Sequence, residues 1–420
     1  MLTTFYSNPN RIRGYLSLPI LGPVVDGFST WLAEHGYDRM YAAQRLRLLM
    51  HIDRFLSTRG IRRVQDIGQA DLIACRKRLL QLFPDRRGAM SALERYLSSK
   101  QLLKPPSTTT VPGTTTKYLA AYVQHLKTVR AEAASTIRHK HRAASEFLAY
   151  LKVERDSARL KSLSINDVEA FIKKVSPRLS RRSLQGFVTL LRNFLRFLAL
   201  EGHVPQGLDR QIDAPPVYRQ EQLPRSLPWA TVQSFLDSID RSDLCGLRDY
   251  TMFLMMAVYG FRASDIVALT LDDIDWRARK ISIYQQKTGI PVQLPLTDLV
   301  GTALHKYLKK TPPPPPFRQI FLRMQAPIGT LQAGDLRRAF RVRARRAGVD
   351  LPGWGSCHRI RHSYAVFLLR KGTPVKTIGD ILGHRTMEST STYLRLALED
   401  LRDVGLPVPT QHTGRKAVRP

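Results

Sequence analysis

The sequence predicts a mainly helical protein that carries one small antiparallel β-sheet in its C-terminal half. Apolar residues recur at helical spacing through much of the first 200 residues. Further along, "KISIYQ" (280–285) and "IPVQLPL" (290–296) are β-rich and flank the turn "QKTG", which predicts a hairpin. With 420 residues, 43% of them hydrophobic, the chain is long enough for two or three separate cores.

A first helical bundle is expected over residues 24–104. Segments 28–36 and 41–60 have helical apolar spacing, and a further helix is expected to begin near Asp71. The stretch "KPPSTTTVPGTTTK" (104–117) follows and has no periodicity, which is typical of a linker.

A second helical bundle is expected after this linker. Its predicted helices cover 118–130, 135–155, 162–175 and 181–202. It resembles the first bundle, because "RFL" (54–56) aligns with "EFL" (146–148) and "DIGQADL" (66–72) with "SLSINDV" (162–168). A duplicated module and two unrelated bundles remain equally open.

The C-terminal part is expected to be mostly helical around the hairpin. It begins after a break rich in proline and charge at 201–229. A long apolar helix and a short helix precede the hairpin, a loop containing prolines 312–316 follows it, and a helix is predicted over 331–348.

Composition points to a polyanionic partner. The chain has 66 Lys and Arg against 34 Asp and Glu, a net charge of +32 and a pI near 10.6. Many cations that displace counterions from phosphates give strong binding to nucleic acid. Membrane-surface and ribosomal proteins can be equally basic, so nucleic acid is the favoured partner and not the sole candidate.

Several other classes of protein are disfavoured by the sequence. Cys75, Cys245 and Cys357 are few and scattered, which predicts neither a disulfide framework nor a zinc cluster. The apolar run 251–261 is too short to span a bilayer. Prolines interrupt the N-terminal apolar stretch and no cleavage site follows, so a cytoplasmic protein is expected.

The segment 356–396 concentrates cationic and imidazole side chains in an otherwise ordinary amphipathic sequence. His358 and His362 are four residues apart, but no carboxylate lies between them and the neighbouring Arg361 would repel a dication, so no metal site is expected. Transfer of a phosphodiester without a metal needs cationic donors, a nucleophile and an acid for the leaving oxygen.

The spacing of this segment suits that chemistry. His358 and Arg361 are three apart on one helix side, and His384 follows "DILG" in an expected turn. Tyr393 could attack phosphorus and conserve the bond energy as a phosphotyrosyl ester. Tyr364 is a rival nucleophile, but its place in the apolar run "YAVFLL" predicts that it faces the core.

These motifs resemble the C-terminal box of the tyrosine recombinases, the phage-integrase family. The family's His-x-x-Arg, Leu-Gly-His and Tyr elements match "HRIR" (358–361), "LGH" (382–384) and "TYLR" (392–395) in order and spacing. An Arg that ends an apolar helix, with an acidic residue three later, matches Arg262 and Asp265. The family's hairpin lysine matches Lys287. Ile360 replaces the more usual Leu, and Asp265 stands where Glu is common.

The resemblance is detailed over about 225–400 and looser over 117–205. It implies helical, SAM-like bundles followed by a tyrosine-recombinase catalytic domain. The expected domains are a core-binding DNA-binding domain at 117–205 and a catalytic domain at 225–410. Residues 1–105 would be an N-terminal helical bundle, a departure from the simplest members and a possible additional DNA-binding module.

The resemblance also implies a role for each matched residue. Tyr393 would attack the scissile phosphate and form a 3′-phosphotyrosyl link. Arg262 and Arg361 would bind the non-bridging oxygens. His358 would assist deprotonation of the tyrosine. His384 would donate a hydrogen bond to the phosphate, Lys287 would protonate the 5′-oxygen, and Asp265 would have a supporting role in orienting cationic side chains.

The implied activity is site-specific recombination of double-stranded DNA without a metal or other cofactor. The enzyme would act as a homo-multimer, a tetramer in the synaptic complex, and exchange strands through a Holliday junction during integration, excision or transposition of a mobile element. The basic helices are expected to contact DNA phosphates through Arg138, Lys140, Arg142, Arg181, Arg182, Arg337 and Arg341. A type IB topoisomerase and a catalytically idle DNA-binding regulator are the alternatives.

Overall fold

The computed structural model describes residues 2–84, 88–105, 113–218, 226–349 and 356–394. Within these ranges the prediction of a mainly helical chain with one small antiparallel sheet is confirmed. The chain divides into two compact units, Met1–Leu103 together with Gln222–Pro420 as the first and Lys104–Glu221 as the second. In the described part of the chain, no helix combines the length and apolar character that crossing a bilayer requires.

The N-terminal part of the first unit is a five-helix bundle. Its helices are α1 (Pro9–Leu16), α2 (Gly22–Glu34), α3 (Arg39–Thr58), α4 (Gln69–Leu82) and α5 (Ala89–Ser99). Helix α3 buries a stripe that includes Leu46, Leu49 and Leu56, as its apolar spacing predicts. Within this stripe the buried Asp53 carboxylate accepts hydrogen bonds from the backbone N–H groups of Ile20 and Leu21, at 3.0 and 2.7 Å. That carboxylate ties the start of α2 to the middle of α3.

This bundle contacts the C-terminal part of the same unit through the loop 323–331. The Ile328 backbone N–H donates to the His35 carbonyl at 3.2 Å. The Ile328 side chain lies against Gly36, and Ala326 packs on the hydrophobic core of the bundle. The extra bundle is therefore attached to the part of the chain that carries the predicted site.

The second unit consists of helices α6 to α10 around a core rich in phenylalanine. Their bounds are α6 (Thr114–Thr128), α7 (Ala134–Leu151), α8 (Ile165–Val175), α9 (Arg181–Leu200) and α10 (Leu208–Gln211). Phe147, Phe171 and Phe194 are fully buried there. The four predicted helices are present, whereas α10 lies in the stretch that the sequence predicted to be a break.

One helix in each of the two predicted repeats begins with the same capping hydrogen bond. At the start of α8, the Asp167 carboxylate accepts a hydrogen bond from the Ser164 backbone N–H at 3.1 Å. At the start of α4, the Asp71 carboxylate accepts from the Gly68 backbone N–H, also at 3.1 Å. A carboxylate at this position satisfies an N–H group that the first helical turn leaves free. This shared capping geometry matches the alignment of 66–72 with 162–168.

In the described residues of the C-terminal part of the first unit, eight helices pack with a three-stranded sheet. In chain order these are α11 (Trp229–Asp237), α12 (Leu244–Tyr259), α13 (Ala263–Ala268), β1 (Ile274–Asp275), β2 (Lys280–Tyr284), β3 (Pro291–Pro295), α14 (Asp298–Lys310), α15 (Ala333–Arg346), α16 (His358–Arg370), α17 (Val375–Leu382) and α18 (Met387–Ser391). The strand order is β1-β2-β3 and both pairs are antiparallel, with Ile281 opposite Leu294. The predicted hairpin thus gains a short third strand.

Helix α12 is the centre of this part of the molecule. Its residues 251–257 are all buried, and it packs against α11, α14 and α16. A helix surrounded by protein needs apolar residues on every side, which explains why this stretch is the most apolar in the chain. The helix ends at Gly260, so the next residues lie directly beside α16 and α17.

Candidate active site

Four separate segments bring their polar side chains together beside the C-terminal end of α12. They are residues 260–262 with the first residues of α13, the β2–β3 hairpin turn, the N-terminal half of α16, and the segment from the end of α17 to Tyr393. The Arg262 guanidinium donates to the Gly383 carbonyl at 3.4 Å. The ring centroids of His384 and Tyr393 are 6.4 Å apart and the rings are nearly parallel. Residues separated by up to 131 positions in the chain, Arg262 and Tyr393, therefore belong to one cluster.

Arg361 is the most buried cation of this cluster. Its side chain is only 4% exposed, and its guanidinium donates to two backbone carbonyls, those of Gly260 and Leu382, the latter at 2.7 Å. Gly260 has a φ of +66°, and a Cβ there would lie 2.5 Å from the Leu382 side chain, so only glycine fits. Burial, followed by the charge of Arg262, lowers the pKa of Arg361 to about 10. The group still carries its charge at neutral pH.

Arg262 lies beside Arg361 and is held by a different set of acceptors. Its guanidinium donates to the side-chain oxygen of the buried Gln285 and to the Gly383 carbonyl. The Asp265 carboxylate lies 3.9 Å from the same guanidinium. Burial lowers the pKa of Arg262, and the charge of Asp265 opposes that effect. Two guanidinium groups fixed side by side form a preorganised anion site.

Asp265 joins this arginine to the hairpin turn. Its buried carboxylate accepts hydrogen bonds from the backbone N–H groups of Arg262 and Gln286, at 3.3 and 3.1 Å, and from the Ser264 hydroxyl at 3.2 Å. Gln286 is the residue directly before Lys287. Asp265 therefore positions both the arginine and the turn that carries the lysine.

Lys287 is exposed at the tip of that turn, and its charge is one of those that lower the pKa of His358. The turn is held from its other side by Arg385, whose Nε donates to the Thr288 carbonyl at 3.1 Å. Arg385 directly follows His384. The hairpin turn and the histidine are thus fixed to each other by one side chain.

The three histidines of the cluster all have pKa values lowered to about 4. Burial is the main cause for His358, His362 and His384, and the neighbouring cations add to it, with Arg361 affecting each of them. His358 presents an exposed surface, but protein surrounds the rest of its ring. All three imidazoles are therefore neutral at pH 7, so each can donate one hydrogen bond and accept another.

His384 is oriented by a contact that the sequence did not suggest. Its Nδ1 atom lies 2.7 Å from the hydroxyl oxygen of Thr390, a residue that is 1% exposed. The backbone N–H of His384 donates to the Gly379 carbonyl at 2.9 Å. With Nδ1 occupied, the Nε2 side of the ring is available for a ligand.

Tyr393 is buried, with 4% of its surface exposed, and its hydroxyl lies 2.9 Å from Nδ1 of His362. Burial raises the pKa of this phenol, while the charges of Arg361 and Arg262 act in the opposite direction. His358, the residue expected to assist the tyrosine, does not make this contact. The histidine one helical turn later, His362, makes it instead.

Sequence reasoning gave no role to four residues of the cluster: His362, Gln285, Thr390 and Arg385. His362 left a usable signal, because a residue four positions after His358 lies on the same helix face. Gln285 and Thr390 left none, because an isolated neutral side chain forms no pattern in a sequence. Tyr364 is half-buried and packs near Trp229, with ring centroids 6.4 Å apart, so its rejection as the nucleophile agrees with its position. Among the described residues, no group of three or more His, Cys, Asp or Glu is arranged to hold a metal ion.

The basic residues expected to contact DNA are exposed in each of the two units, with one exception. Exposed arginines lie on α7 and α9 of the second unit and on α15 of the first: Arg138, Arg142, Arg181, Arg182, Arg337 and Arg341. Lys140 is the exception, and its prediction was wrong. It is 6% exposed and its ammonium group is paired with the Glu132 carboxylate at 2.5 Å, so it has no surface to offer to a phosphate.

Known protein families and a full-length relative match nearly the whole chain. Residues 226–399 match the phage integrase family, and residues 119–202 match the phage integrase, N-terminal SAM-like domain. A putative integrase/recombinase of Sinorhizobium fredii, y4rA, is 31% identical over 402 residues, which are 94% of this chain and 97% of the relative.

Two further matches cover a smaller share of the chain. The tyrosine recombinase XerD of Listeria monocytogenes is 26% identical over 288 residues, which are 67% of this chain and 95% of the relative. A crystal structure of a lambda integrase tetramer bound to a Holliday junction has the same fold. Its TM-score is 0.53 at 18% identity, over 74% of this chain and 87% of that one. The chain belongs to the phage integrase family, the tyrosine recombinases.

Proposed function

We propose that this protein is a site-specific recombinase that cleaves and rejoins duplex DNA through a 3′-phosphotyrosyl intermediate. One observation carries the proposal. Two fixed guanidinium groups, those of Arg262 and Arg361, lie in the same cluster as the hydroxyl of Tyr393. A phosphodiester bound between the arginines would place its phosphorus next to a nucleophile, with the developing negative charge stabilised by permanent cations.

The residues of the cluster divide the chemistry among themselves. Tyr393 attacks phosphorus, and Arg262 with Arg361 binds the non-bridging oxygens of the transition state. His384, whose other ring nitrogen is held by a threonine, donates a hydrogen bond to the same phosphate. Lys287 protonates the leaving 5′-oxygen.

His358 needs a modified role in this scheme. Its ring centroid lies 6.5 Å from that of His362, and the charges of both arginines and of Lys287 reach it. This position suits a hydrogen bond to the bound phosphate better than direct contact with Tyr393. Asp265 supports the reaction through the turn that carries the lysine.

DNA binding is assigned to the basic surfaces of the proposed domains. Residues 117–205 form the core-binding domain, whose α7 and α9 carry exposed arginines. Residues 225–410 form the catalytic domain, of which 225, 350–355 and 395–410 lie outside the described residues. Residues 1–105 form the additional DNA-binding module. That bundle has sixteen Lys and Arg against eight Asp and Glu within 1–103, an excess that suits a phosphate backbone.

The partner is double-stranded DNA with specific recombination sites, and the active form is a homo-multimer. Exchange between two duplexes requires four cleavages, which a tetramer in the synaptic complex supplies with one tyrosine each. The proposed role is integration, excision or transposition of a mobile element, and the name integrase/recombinase of one relative supports integration. The proposed place of action is the nucleoid in the cytoplasm.

A nicked suicide duplex tests the proposal. Because the recombination site is unknown, the Tyr393→Phe variant is first used to select bound duplexes from a random library, and the selected sequence is then nicked beside the cleaved phosphate. The wild-type protein is expected to form a covalent adduct that resists denaturing electrophoresis. Tyr393→Phe should form none, and the matched control Tyr364→Phe should form it normally.

Two results would contradict the proposal. Absence of any adduct with a tightly bound duplex would favour a catalytically idle DNA-binding regulator. Relaxation of a supercoiled plasmid that lacks the selected site, at the same rate as one that contains it, would favour a type IB topoisomerase.

A further inference from the structure

His362 is the residue of the cluster that touches the atom expected to react. Its Nδ1 lies 2.9 Å from the Tyr393 hydroxyl oxygen, and the two ring centroids are 5.7 Å apart. The family resemblance gave this residue no role. The contact is specific, because it joins the side chain of a regular helix, α16, to the last described turn of the chain.

The other candidate bases are not placed for this contact. His358 lies one helical turn earlier, and its ring centroid is 6.5 Å from that of His362. The Nδ1 atom of His384 is occupied by Thr390, and its ring lies nearly parallel to that of Tyr393, with centroids 6.4 Å apart. Lys287 is exposed at the tip of the hairpin turn, where it suits the leaving oxygen.

We propose that His362 is a catalytic residue that takes the hydroxyl proton of Tyr393 during DNA cleavage and returns it during religation. This inference rests on the proposed recombinase function. During cleavage the phenolic proton moves to Nδ1 of His362 as the bond from Oη to phosphorus forms. The bond from phosphorus to the 5′-oxygen breaks, and that oxygen takes a proton from Lys287. During religation each proton moves back, so no other reactant is needed.

The basicity of His362 is expected to depend on the bound substrate. In the free protein, burial and then the charges of Arg361 and Arg359 lower the pKa of His362 to about 4, so the imidazole is neutral and a weak base. A bound phosphodiester adds a negative charge beside the arginines and offsets their effect, which raises the basicity of the imidazole. The charged and titratable groups that face it come from three elements: Arg359, Arg361 and His358 on α16, His384 after α17, and Tyr393 after α18.

Two substitutions at this position separate proton transfer from positioning. In His362→Asn, the side-chain oxygen can replace Nδ1 as a hydrogen-bond acceptor but cannot take a proton. His362→Ala removes both functions. The matched control is His305→Asn, an exposed histidine on α14. Each variant is assayed for covalent adduct formation with the nicked duplex, and its DNA affinity and thermal unfolding are measured in parallel.

We expect both variants to bind the duplex as the wild type does and to cleave it about 10²- to 10⁴-fold more slowly at pH 7. Their cleavage rates should rise with pH, because hydroxide must then remove the proton, whereas the wild-type rate levels off. Added imidazole should partly restore His362→Ala. With a 5′-bridging phosphorothiolate, whose sulfur leaves without a proton, Lys287→Ala should recover and His362→Asn should stay slow.

Three outcomes would overturn the inference. His362→Asn could cleave at the wild-type rate while His362→Ala is slow, which would show that the residue only positions the tyrosine. Both variants could cleave normally, which would show that it has no role. His362→Asn could also recover on the phosphorothiolate, which would assign it to the leaving group. A wild-type protein that forms no adduct would instead contradict the proposed function itself.

Discussion

Substitution of Asp265 by alanine tests how the fold positions the predicted leaving-group acid. This carboxylate is 1% exposed and accepts hydrogen bonds from the backbone N–H groups of Arg262 and Gln286. Asp265→Ala removes both acceptors and the counter-charge 3.9 Å from the Arg262 guanidinium. The turn that carries Lys287 then loses its link to α13, although Arg385 still holds its other side.

The expected loss follows from the groups left without a partner. A buried donor that loses its acceptor costs about 1–3 kcal/mol. One of the two donors belongs to an exposed residue, Gln286. We therefore expect a loss of about 3 kcal/mol in the free energy of unfolding and not the sum of two full penalties. The control is Asp272→Ala, which breaks an ion pair with Arg318 between exposed side chains and should cost about 0–1 kcal/mol.

The effect on catalysis is measured with the two suicide substrates. On the ordinary phosphodiester we expect adduct formation to slow at least tenfold, which corresponds to about 1.4 kcal/mol of transition-state stabilisation. On the 5′-bridging phosphorothiolate the loss should be smaller, because Lys287 is no longer needed. Equal losses on the two substrates would refute positioning of the lysine and assign the effect to Arg262. Unfolding free energy unchanged from the wild type would refute the burial argument.

Three further predictions concern pH, DNA contact and the attachment of the N-terminal bundle. The pKa of His362 is lower in the folded state, about 4, than its ordinary 6.5, so the unfolded chain takes up the proton first as pH falls. The neutral His362 therefore stabilises the folded state fully above pH 6.5, and this contribution is lost as the pH falls towards 4. In urea unfolding at pH 5, the wild type should lose about 2 kcal/mol of unfolding free energy that the His362→Asn variant does not lose. In salt titrations of DNA binding, Arg142→Ala should reduce the slope by about one, whereas Lys140→Ala should leave the slope unchanged and lower the unfolding free energy by breaking a buried ion pair. Gly36→Ala should lower the thermal midpoint more than Gly60→Ala. Both glycines have φ near +77°, but a Cβ at Gly36 would lie 2.5 Å from the Ile328 side chain, whereas a Cβ at Gly60 would have no neighbour within 4 Å. Equal shifts of the midpoint would contradict this.

The sequence was sufficient to predict the fold class and to single out Arg262, Asp265 and Arg361, which the structure brings together. Chemistry on a phosphodiester requires cations, an acid and a nucleophile, and these residue types are recognisable by their order and spacing. Arg262 and Arg361 are 99 positions apart, yet the structure places them side by side, with acceptors that belong to the same short segment.

Lys140 shows how charge alone can mislead. It lies three residues after Ile137 and four before Ala144, and both of these are buried on the inner face of α7. The helical period therefore places the lysine on the apolar side, where it is stabilised by pairing with Glu132. Arg138 and Arg142 are shifted round the helix and remain exposed. The helical spacing of the apolar residues was enough to predict that Lys140 is buried, but the prediction used only the run of charges.

Gln285 and the Leu382 carbonyl could not be predicted, because neutral groups and backbone atoms form no pattern in a sequence. They nevertheless hold the arginines in place. The Leu382 carbonyl accepts hydrogen bonds from Arg361 and from the side-chain amide of Gln285, at 2.7 and 3.2 Å, and the oxygen of that amide accepts one from Arg262. One carbonyl at the end of α17 thus links both guanidinium groups.

The neutral acceptors of the two arginines favour binding of an anion. Each described hydrogen bond of the two guanidinium groups goes to a neutral oxygen: Gly260, Leu382, Gly383 or Gln285. Carboxylates would hold the arginines as firmly, but they would cancel the charge and repel a phosphate. Carbonyl dipoles at a helix C-terminus orient a cation without neutralising it. The Asp265 carboxylate accepts hydrogen bonds from two backbone N–H groups and the Ser264 hydroxyl, and it lies 3.9 Å from the Arg262 guanidinium. One carboxylate beside two guanidinium groups leaves a net positive charge for the DNA backbone.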